Sequence, residues 1–182
     1  AHPSISVDGD RLYFASDREG GYGGMDLYVA EKQGSSWGTP RNLGPDINTG
    51  QDEVFPYIHA DGTLYFASKG HGSMGGLDIF FSIQEEEDSW TLPRNFEPLN
   101  SGKDDFGLIL DRDKRNGYLS SNGRGGIGED DLFSFHIVGD LDELMKREKE
   151  MAQSHSVIVI DEMTGSAIAG AEVNSLLLDE FT

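Results

Sequence analysis

Cysteine is absent from this chain of 182 residues, and basic residues are scarce. Without cysteine there is no disulfide and no thiol-based metal or catalytic site. Only 14 Lys and Arg stand against 33 Asp and Glu, which gives a formal net charge of −19. This balance argues against binding to nucleic acid or to an anionic membrane surface, because both need cationic side chains. No apolar run approaches the roughly 20 residues that cross a bilayer, so direct membrane insertion is not expected.

The N-terminus lacks two further features. The first residues, 1–4, show neither the charged region nor the apolar region of a signal peptide, and there is no initiator Met. We therefore expect the chain to be a processed or excised piece. Its length suits one domain, or one domain and part of another, and its 36% of hydrophobic residues excludes disorder throughout.

What the sequence does contain is an internal repeat. The run Leu12–Ser16 returns as Leu64–Ser68 and, more loosely, as Gly117–Ser121. Each run is followed by a glycine-rich stretch and then by an acidic residue that opens another apolar run. These acidic residues, which lie 52 and then 53 positions apart and are called the repeat acids below, are Asp26, Asp78 and Asp131. A fixed period of this length predicts an architecture built from one repeated structural unit.

Each unit carries the signals of short antiparallel strands. Asp8-Gly9 and Asp61-Gly62 separate apolar runs, which is a strong hairpin signal because Gly tolerates the positive φ of a tight turn. A fourth strand is predicted around Trp37 or Trp90 and the Pro-Arg-Asn that follows, since an edge strand accepts Pro. Four strands in about 50 residues predict a blade of a β-propeller, whereas a β-sandwich would not need the same sequence three times. The predicted blades of this partial ring cover 1–44, 45–97 and 98–138, and the third lacks the Trp…Pro-Arg-Asn segment.

The remainder of the chain has a different pattern. Residues 139–155 are good helix formers with a narrow apolar stripe, which predicts a short helical linker. Residues 156–182 contain about two strands, too few to stand alone, and we expect them to be the first strands of a β-sandwich.

The order Pro-x-Ile, Asp-Gly, Leu-Tyr-Phe-Ala-Ser, Gly-Gly-x-Asp resembles the TolB-type, WD-repeat-like propeller repeat. The fuller strings Asp52–Pro56 and Gly75–Ile79 resemble propellers of OmpA-family envelope proteins from Bacteroidetes. In that family a carboxypeptidase-regulatory-like sandwich and a peptidoglycan-binding OmpA domain follow the propeller, and Val159–Val173 is similar to the opening of that sandwich. Only three repeats and no OmpA domain are present here, so peptidoglycan binding is expected only through a domain outside this chain.

The resemblance implies a non-catalytic protein–protein scaffold in the periplasm, associated with the outer membrane. One branch of the family is a periplasmic component of type IX secretion. The implied partners are other envelope proteins, and no cofactor is expected. Two other classes stay open: a carbohydrate- or peptidoglycan-binding module, and a propeller glycan hydrolase or lyase. Near-equal repeats argue against the enzyme, because a catalytic centre needs a unique acid and base in at least one unit.

The repeat acids are expected to be structural. A catalytic acid would occur once per site, whereas these carboxylates occur once per unit. We expect each of them to accept backbone N–H bonds from its own glycine loop.

A second set of charged residues is expected on the loops at one end of the units. Paired acids stand at equivalent positions before the first strand of the second and third units, at 52–53 and 104–105. That end is predicted to be a polar docking surface or an adventitious cation site, the alternative being solvated loops that close off the units. The candidate residues are Asp17, Arg18, Asp52, Glu53, Asp104, Asp105 and Arg124.

No metal site is expected. Residues 125–133 match one copy of the calcium-binding nonapeptide, but that site needs tandem copies and the sister loops break its register. The five histidines are scattered without the spacing of a zinc site, and no nucleophile-elbow context surrounds any serine.

Overall fold

The computed structural model describes residues 2–86, 89–139, 141 and 159–161, and the structural statements below refer to these residues. They form an all-β arrangement, as predicted from the sequence, with a short 3-10 turn at Glu97–Leu99. The strands in chain order are β1 (Pro3–Ile5), β2 (Arg11–Ser16), β3 (Asp26–Gln33), β4 (Ser36–Trp37), β5 (Arg41–Asn42), β6 (Glu53–Ile58), β7 (Thr63–Ser68), β8 (Asp78–Glu86), β9 (Ser89–Trp90), β10 (Arg94–Asn95), β11 (Asp105–Leu110), β12 (Asn116–Ser121), β13 (Asp131–Ile137) and β14 (Val159–Asp161).

Three antiparallel sheets take their first three strands from the three repeats in turn. The strands run in the orders β1-β2-β3, β6-β7-β8 and β11-β12-β13. In each sheet the serine that ends the second strand pairs with the repeat acid that opens the third, as in Ser16↔Asp26 and Ser68↔Asp78. The equal register places the glycine loops at the same end of each sheet, which we call the loop end.

The segment predicted as one fourth strand is divided in two. In the first sheet β4 pairs with the far end of β3, at Lys32 and Gln33, while β5 pairs with its beginning, at Tyr28 and Val29. The second sheet repeats this with β9 and β10 on β8. The proline that precedes each Arg-Asn pair has no N–H to donate to a ladder, which is consistent with the interruption.

The third sheet receives its fourth strand from the distant tail. Val159–Asp161 pairs antiparallel with Phe135–Ile137, where the sequence had led us to expect the start of a separate sandwich. The other residues of 156–182, and nearly all of the predicted helical linker over 139–155, lie outside the described residues. In the described part of the chain no helix has the length and apolar character to cross a membrane.

Two hydrophobic cores lie between the sheets. One joins the first and second sheets through residues such as Tyr13, Leu27, Phe66 and Trp90. The other joins the second and third sheets through residues such as Tyr65 and Phe135. All six residues of β7 are buried because the middle sheet is covered on both faces. Alternate strand residues point to opposite faces, so each sheet contributes to the core with each neighbour.

A bulge interrupts the entering strand of the second and third units. The register shifts between Val54 and Tyr57 in one and between Phe106 and Ile109 in the other. The bulged residue has a positive φ in both, 51° at Phe55 and 66° at Gly107. The two units therefore reach the same backbone geometry with different residues.

Candidate functional site

The repeat acids of the first two units lie beneath their glycine loops. The Asp26 carboxylate is 1% exposed and accepts hydrogen bonds from the Tyr22 N–H at 2.7 Å and the Gly23 N–H at 3.0 Å. The Asn42 side chain donates a third, at 2.7 Å. A buried carboxylate with three donors fixes the loop above it, since buried acceptors need partners.

Asp78 repeats this arrangement in the second unit. It is fully buried and accepts from the Met74 N–H at 2.5 Å, the Gly75 N–H at 3.3 Å and the Asn95 side chain at 3.3 Å. Burial raises the pKa of the Asp78 carboxyl, while the three donors act in the opposite direction. These contacts assign both carboxylates to loop structure.

Asp131 is different. It is only partly buried, and it accepts a hydrogen bond from the Gly128 N–H at 2.9 Å. The repeat acid of the third unit is therefore more exposed, and it is held by fewer hydrogen bonds than the other two.

The first member of each acid pair holds the glycine loop of the preceding unit. Asp52 accepts from the Met25 N–H at 3.0 Å, and Asp104 accepts from the Leu77 N–H at 2.7 Å. The Lys69 ammonium binds Asp52 at 2.8 Å, and this hydrogen bond holds the pKa of the Asp52 carboxyl below its usual range. The two carboxylates thus connect neighbouring units across the loop end.

The second member of each pair is not on the docking surface that the sequence had suggested. Glu53 and Asp105 are both 0% exposed. Glu53 accepts from the Thr49 N–H and hydroxyl, at 2.8 and 2.7 Å, and from the Ser68 hydroxyl at 2.6 Å. Asp105 accepts from the Ser101 N–H and hydroxyl, at 2.5 and 2.7 Å. Because their oxygens are occupied inside the protein, these two acids are removed from the surface set.

Arg124 also leaves the predicted surface. Its side chain is 1% exposed; its Nε lies 3.3 Å from Asp105, and its guanidinium donates to the Leu99 carbonyl. Burial lowers the pKa of Arg124, and Asp105 opposes that effect. His71, at the equivalent loop position of the second unit, likewise bonds the carbonyl of Ile47, in the segment that leads into that unit's first strand, at 2.9 Å. In both units this loop position therefore ties the glycine loop to the segment before the first strand of the same unit.

Asp17 and Arg18 do lie exposed at the loop end. The Arg18 guanidinium stacks 4.6 Å from the Tyr28 ring and 5.0 Å from the Phe14 ring. Cation–π contact of this kind orders the side chain without removing it from solvent. Of the predicted surface residues, these two are exposed, while Asp52 and Asp104 are partly buried.

One asparagine at each junction, which sequence reasoning missed, also joins two units. Asn48 accepts from the Leu27 N–H at 2.7 Å and donates to the Leu27 carbonyl at 3.0 Å. Asn100 does the same with Ile79, at 2.8 and 2.9 Å. The signal was present in the sequence, because Asn-Thr-Gly-Gln and Asn-Ser-Gly-Lys precede the two acid pairs.

Sequence reasoning also missed an exposed apolar residue at the tip of each glycine loop. It lies four positions before each repeat acid, and its recurrence at that spacing was a readable signal. These side chains, called the tip residues below, are Tyr22 (52% exposed), Met74 (54%) and Ile127 (103%).

A polar cluster that contains two buried side chains, His59 and Lys114, lies at the opposite end of the second junction. Asp61 of the second unit forms an ion pair with Lys114 of the third, whose side chain is 5% exposed. The His59 ring bonds Asp61 at 2.9 Å and the Asp111 carbonyl at 3.1 Å. Like the loop-end contacts, these bonds join two units. Among the described residues there is no group of three or more His, Asp or Glu side chains that could hold a metal ion.

No protein-family model and no curated protein matches the chain. Among solved structures, a puromycin-hydrolyzing peptidase from Mycobacterium tuberculosis is similar to 90% of this chain, at 16% sequence identity and a TM-score of 0.46. The chain spans 27% of the length of that peptidase. A likeness of this size carries no statement about activity.

Proposed function

We propose that the chain is a non-catalytic interaction scaffold of the bacterial cell envelope. One observation carries the proposal: the recurrent carboxylates are engaged in holding sheets and loops together. Asp52 and Asp104 accept loop N–H groups of the preceding unit, and Glu53 and Asp105 accept buried hydroxyl and amide donors. Because these carboxylates are hydrogen-bonded inside the protein, they make the frame rigid. A rigid frame holds its loops in fixed positions.

The architecture that fits this role is part of a β-propeller. Three antiparallel sheets follow one another along the chain, and each packs a face against the next across a separate apolar core. Both junctions use equivalent residues, which is the arrangement that radial repetition of a blade requires. Loops gathered at one end of such a frame are a common location for partner binding.

The envelope location and the partners rest on the sequence resemblance. The chain resembles OmpA-family propellers, whose setting is the periplasmic side of the outer membrane and, in one branch, type IX secretion. The proposed partners are other envelope proteins, with peptidoglycan reached only through a domain outside this chain. The net charge of −19 suits a scaffold that does not bind anionic surfaces.

The test uses the whole native protein, tagged in the bacterium that makes it. We expect it in the outer-membrane fraction, cross-linked reproducibly to a small set of envelope proteins, and inactive on purified peptidoglycan fragments. Asp17→Asn, which changes an exposed acid, serves as the control for surface charge. Turnover of glycan fragments that disappears in Asp52→Asn or Asp104→Asn with the fold retained would overturn the proposal in favour of an enzyme.

A further inference from the structure

The tip residues share a geometry that loop composition alone does not explain. Tyr22, Met74 and Ile127 each stand at the same position of their glycine loop, and each exposes half or more of its side chain. Their immediate neighbours in the sequence are glycines and one serine, Ser73. An isolated exposed apolar residue is ordinary, but one per unit at an equivalent position on the same end is a recurrent surface feature.

The backbone beneath two of the tips is fixed from inside the protein. The N–H groups of Tyr22 and Met74 donate directly to the buried repeat acids Asp26 and Asp78, at 2.7 and 2.5 Å. In the third loop the Gly128 N–H, directly after Ile127, donates to Asp131, as the Gly23 and Gly75 N–H groups do to Asp26 and Asp78. A tip held in this way loses little conformational freedom when it is covered, which favours binding. Tyr and Met are also among the side chains enriched at interface centres.

The charge around the tips points to the chemistry of the partner. Three cations of this end are engaged within the chain, namely Lys69 with Asp52, Arg124 with Asp105, and Arg18 over two aromatic rings, while Lys103 beside the second loop is exposed. The exposed charged side chains of the three glycine loops other than Arg18 and Lys69 are carboxylates, namely Asp17, Glu19, Glu129 and Asp130. The first and third tips, whose loops carry these carboxylates, are complementary to a segment that carries apolar side chains next to Lys or Arg.

We propose that the tip residues form a protein-contact surface for a partner segment that combines apolar side chains with flanking basic residues. The inference rests on the proposed scaffold function and deepens it, because it names the contact residues and the chemistry of the partner. The repeat acids then have a second role as positioning residues, since they hold the backbone that presents each tip.

Site-specific photo-crosslinking tests the surface in the native bacterium, with the whole protein. The photoreactive residue p-benzoylphenylalanine replaces one tip residue at a time, at 22, 74 or 127. Matched controls replace apolar residues of similar exposure elsewhere on the surface, namely Val7 (78%), Leu92 (72%) and Val138 (56%). We expect tip positions to crosslink at least tenfold more than the controls to one protein, within peptides that contain Lys or Arg beside apolar residues.

The binding energy is then tested with the crosslinked peptide made synthetically. The triple variant Tyr22→Ser, Met74→Ser and Ile127→Ser should bind that peptide at least tenfold more weakly than the wild type. Because the three side chains are exposed, its unfolding midpoint should not change. The control variant Val7→Ser, Leu92→Ser and Val138→Ser should keep the affinity of the wild type.

Four results would overturn the inference: tip crosslinks to lipid, tip crosslinks to acidic peptides, equal yields at tips and controls, and unchanged peptide affinity in the triple serine variant. The same experiment distinguishes failure of the tip surface from failure of the scaffold proposal. If control positions crosslink to envelope proteins and tips do not, the scaffold stands and the tip surface is wrong. If none of the six positions crosslinks to protein, both are wrong.

Discussion

The glycine loops of the second and third units have equal length between equivalent residues, yet only one of them is enclosed. In the second unit the Gly76 N–H donates to the Lys103 carbonyl at 3.1 Å, and Leu77 exchanges bonds with the acid pair of the third unit. Among the described residues, no acid pair meets the loop of the third unit. There the repeat acid is partly exposed, and Leu132, directly after it, is 71% exposed. A repeated motif therefore becomes core or surface according to whether a neighbouring unit covers it.

The largest contrast is expected between two equivalent glycines. A Cβ on Gly75 would collide with the Lys103 carbonyl, whereas a Cβ on Gly128 would meet Asp131 Oδ1 at an ordinary 3.7 Å. We expect Gly75→Ala to destabilise the fold by about 3 kcal/mol, because backbone must move to admit the methyl group. Gly128→Ala should change the free energy of unfolding by no more than about 1 kcal/mol. Urea denaturation of both variants measures the contrast, and equal losses would show that the second junction is looser than described.

The repeat acids give the next contrast. Asp78→Ala removes a buried acceptor from three donors and should cost about 1–3 kcal/mol. Asp131→Ala removes a partly exposed acceptor with one donor on its own loop, so we expect a loss below about 1 kcal/mol. Thermal and chemical denaturation check both values. An unchanged midpoint for Asp78→Ala would mean that this carboxylate is not needed for stability.

A smaller effect is expected at the bulge. Gly107 has a φ of 66°, and an added Cβ would have open space, with Ser120 Oγ nearest at 3.9 Å. Gly107→Ala should therefore cost roughly 1–2 kcal/mol from backbone conformation alone. In the second unit the equivalent Phe55 has the same strain but stacks on Phe106 at 4.8 Å and on His2 at 3.8 Å. Phe55→Gly should relieve the strain but lose the stacking. Its net effect on the free energy of unfolding should therefore be smaller than that of Gly107→Ala. A larger loss would show that stacking outweighs strain.

The smallest effect depends on pH and concerns the opposite end of the junction. Burial alone would raise the pKa of the Asp61 carboxyl, but bonds from Lys114, the Thr63 N–H and His59 outweigh it and hold that pKa well below its usual range. The ionised Asp61 carboxylate therefore contributes stability above about pH 4, which is the pKa of the group in the unfolded chain. That contribution is lost as the pH falls through the lower pKa of the folded state. Asp61→Asn should lower the free energy of unfolding at pH 6 and flatten its decline below pH 4. Parallel pH profiles for variant and wild type would contradict this.

Much of the frame could be predicted from the sequence because each repeat contains the turn residues that separate its strands. Asp-Gly turns, alternating apolar runs and glycine loops at constant spacing set the antiparallel strands, and the once-per-unit recurrence of Asp26 and Asp78 argued for structure over catalysis. The burial of Glu53 and Asp105 could not be predicted in the same way. Paired acids in a polar loop ordinarily face water, and the burial of these two depends on adding donors from the next loop, Ser68 and Arg124, to the local donors Thr49 and Ser101.

By itself, then, the sequence determined the all-β class, the three equivalent units and the position of each repeat acid, because these depend on local periodicity and on turn residues. Tertiary structure alone decided which members of equivalent sets are buried. Tyr13 and Tyr65 are 2% and 0% exposed, while Tyr118, at the same position of its unit, is 47% exposed. The tyrosine is the same in all three units; its burial depends on whether another sheet packs against that face. Contact between sheets is a property of their arrangement in space, which no local pattern encodes.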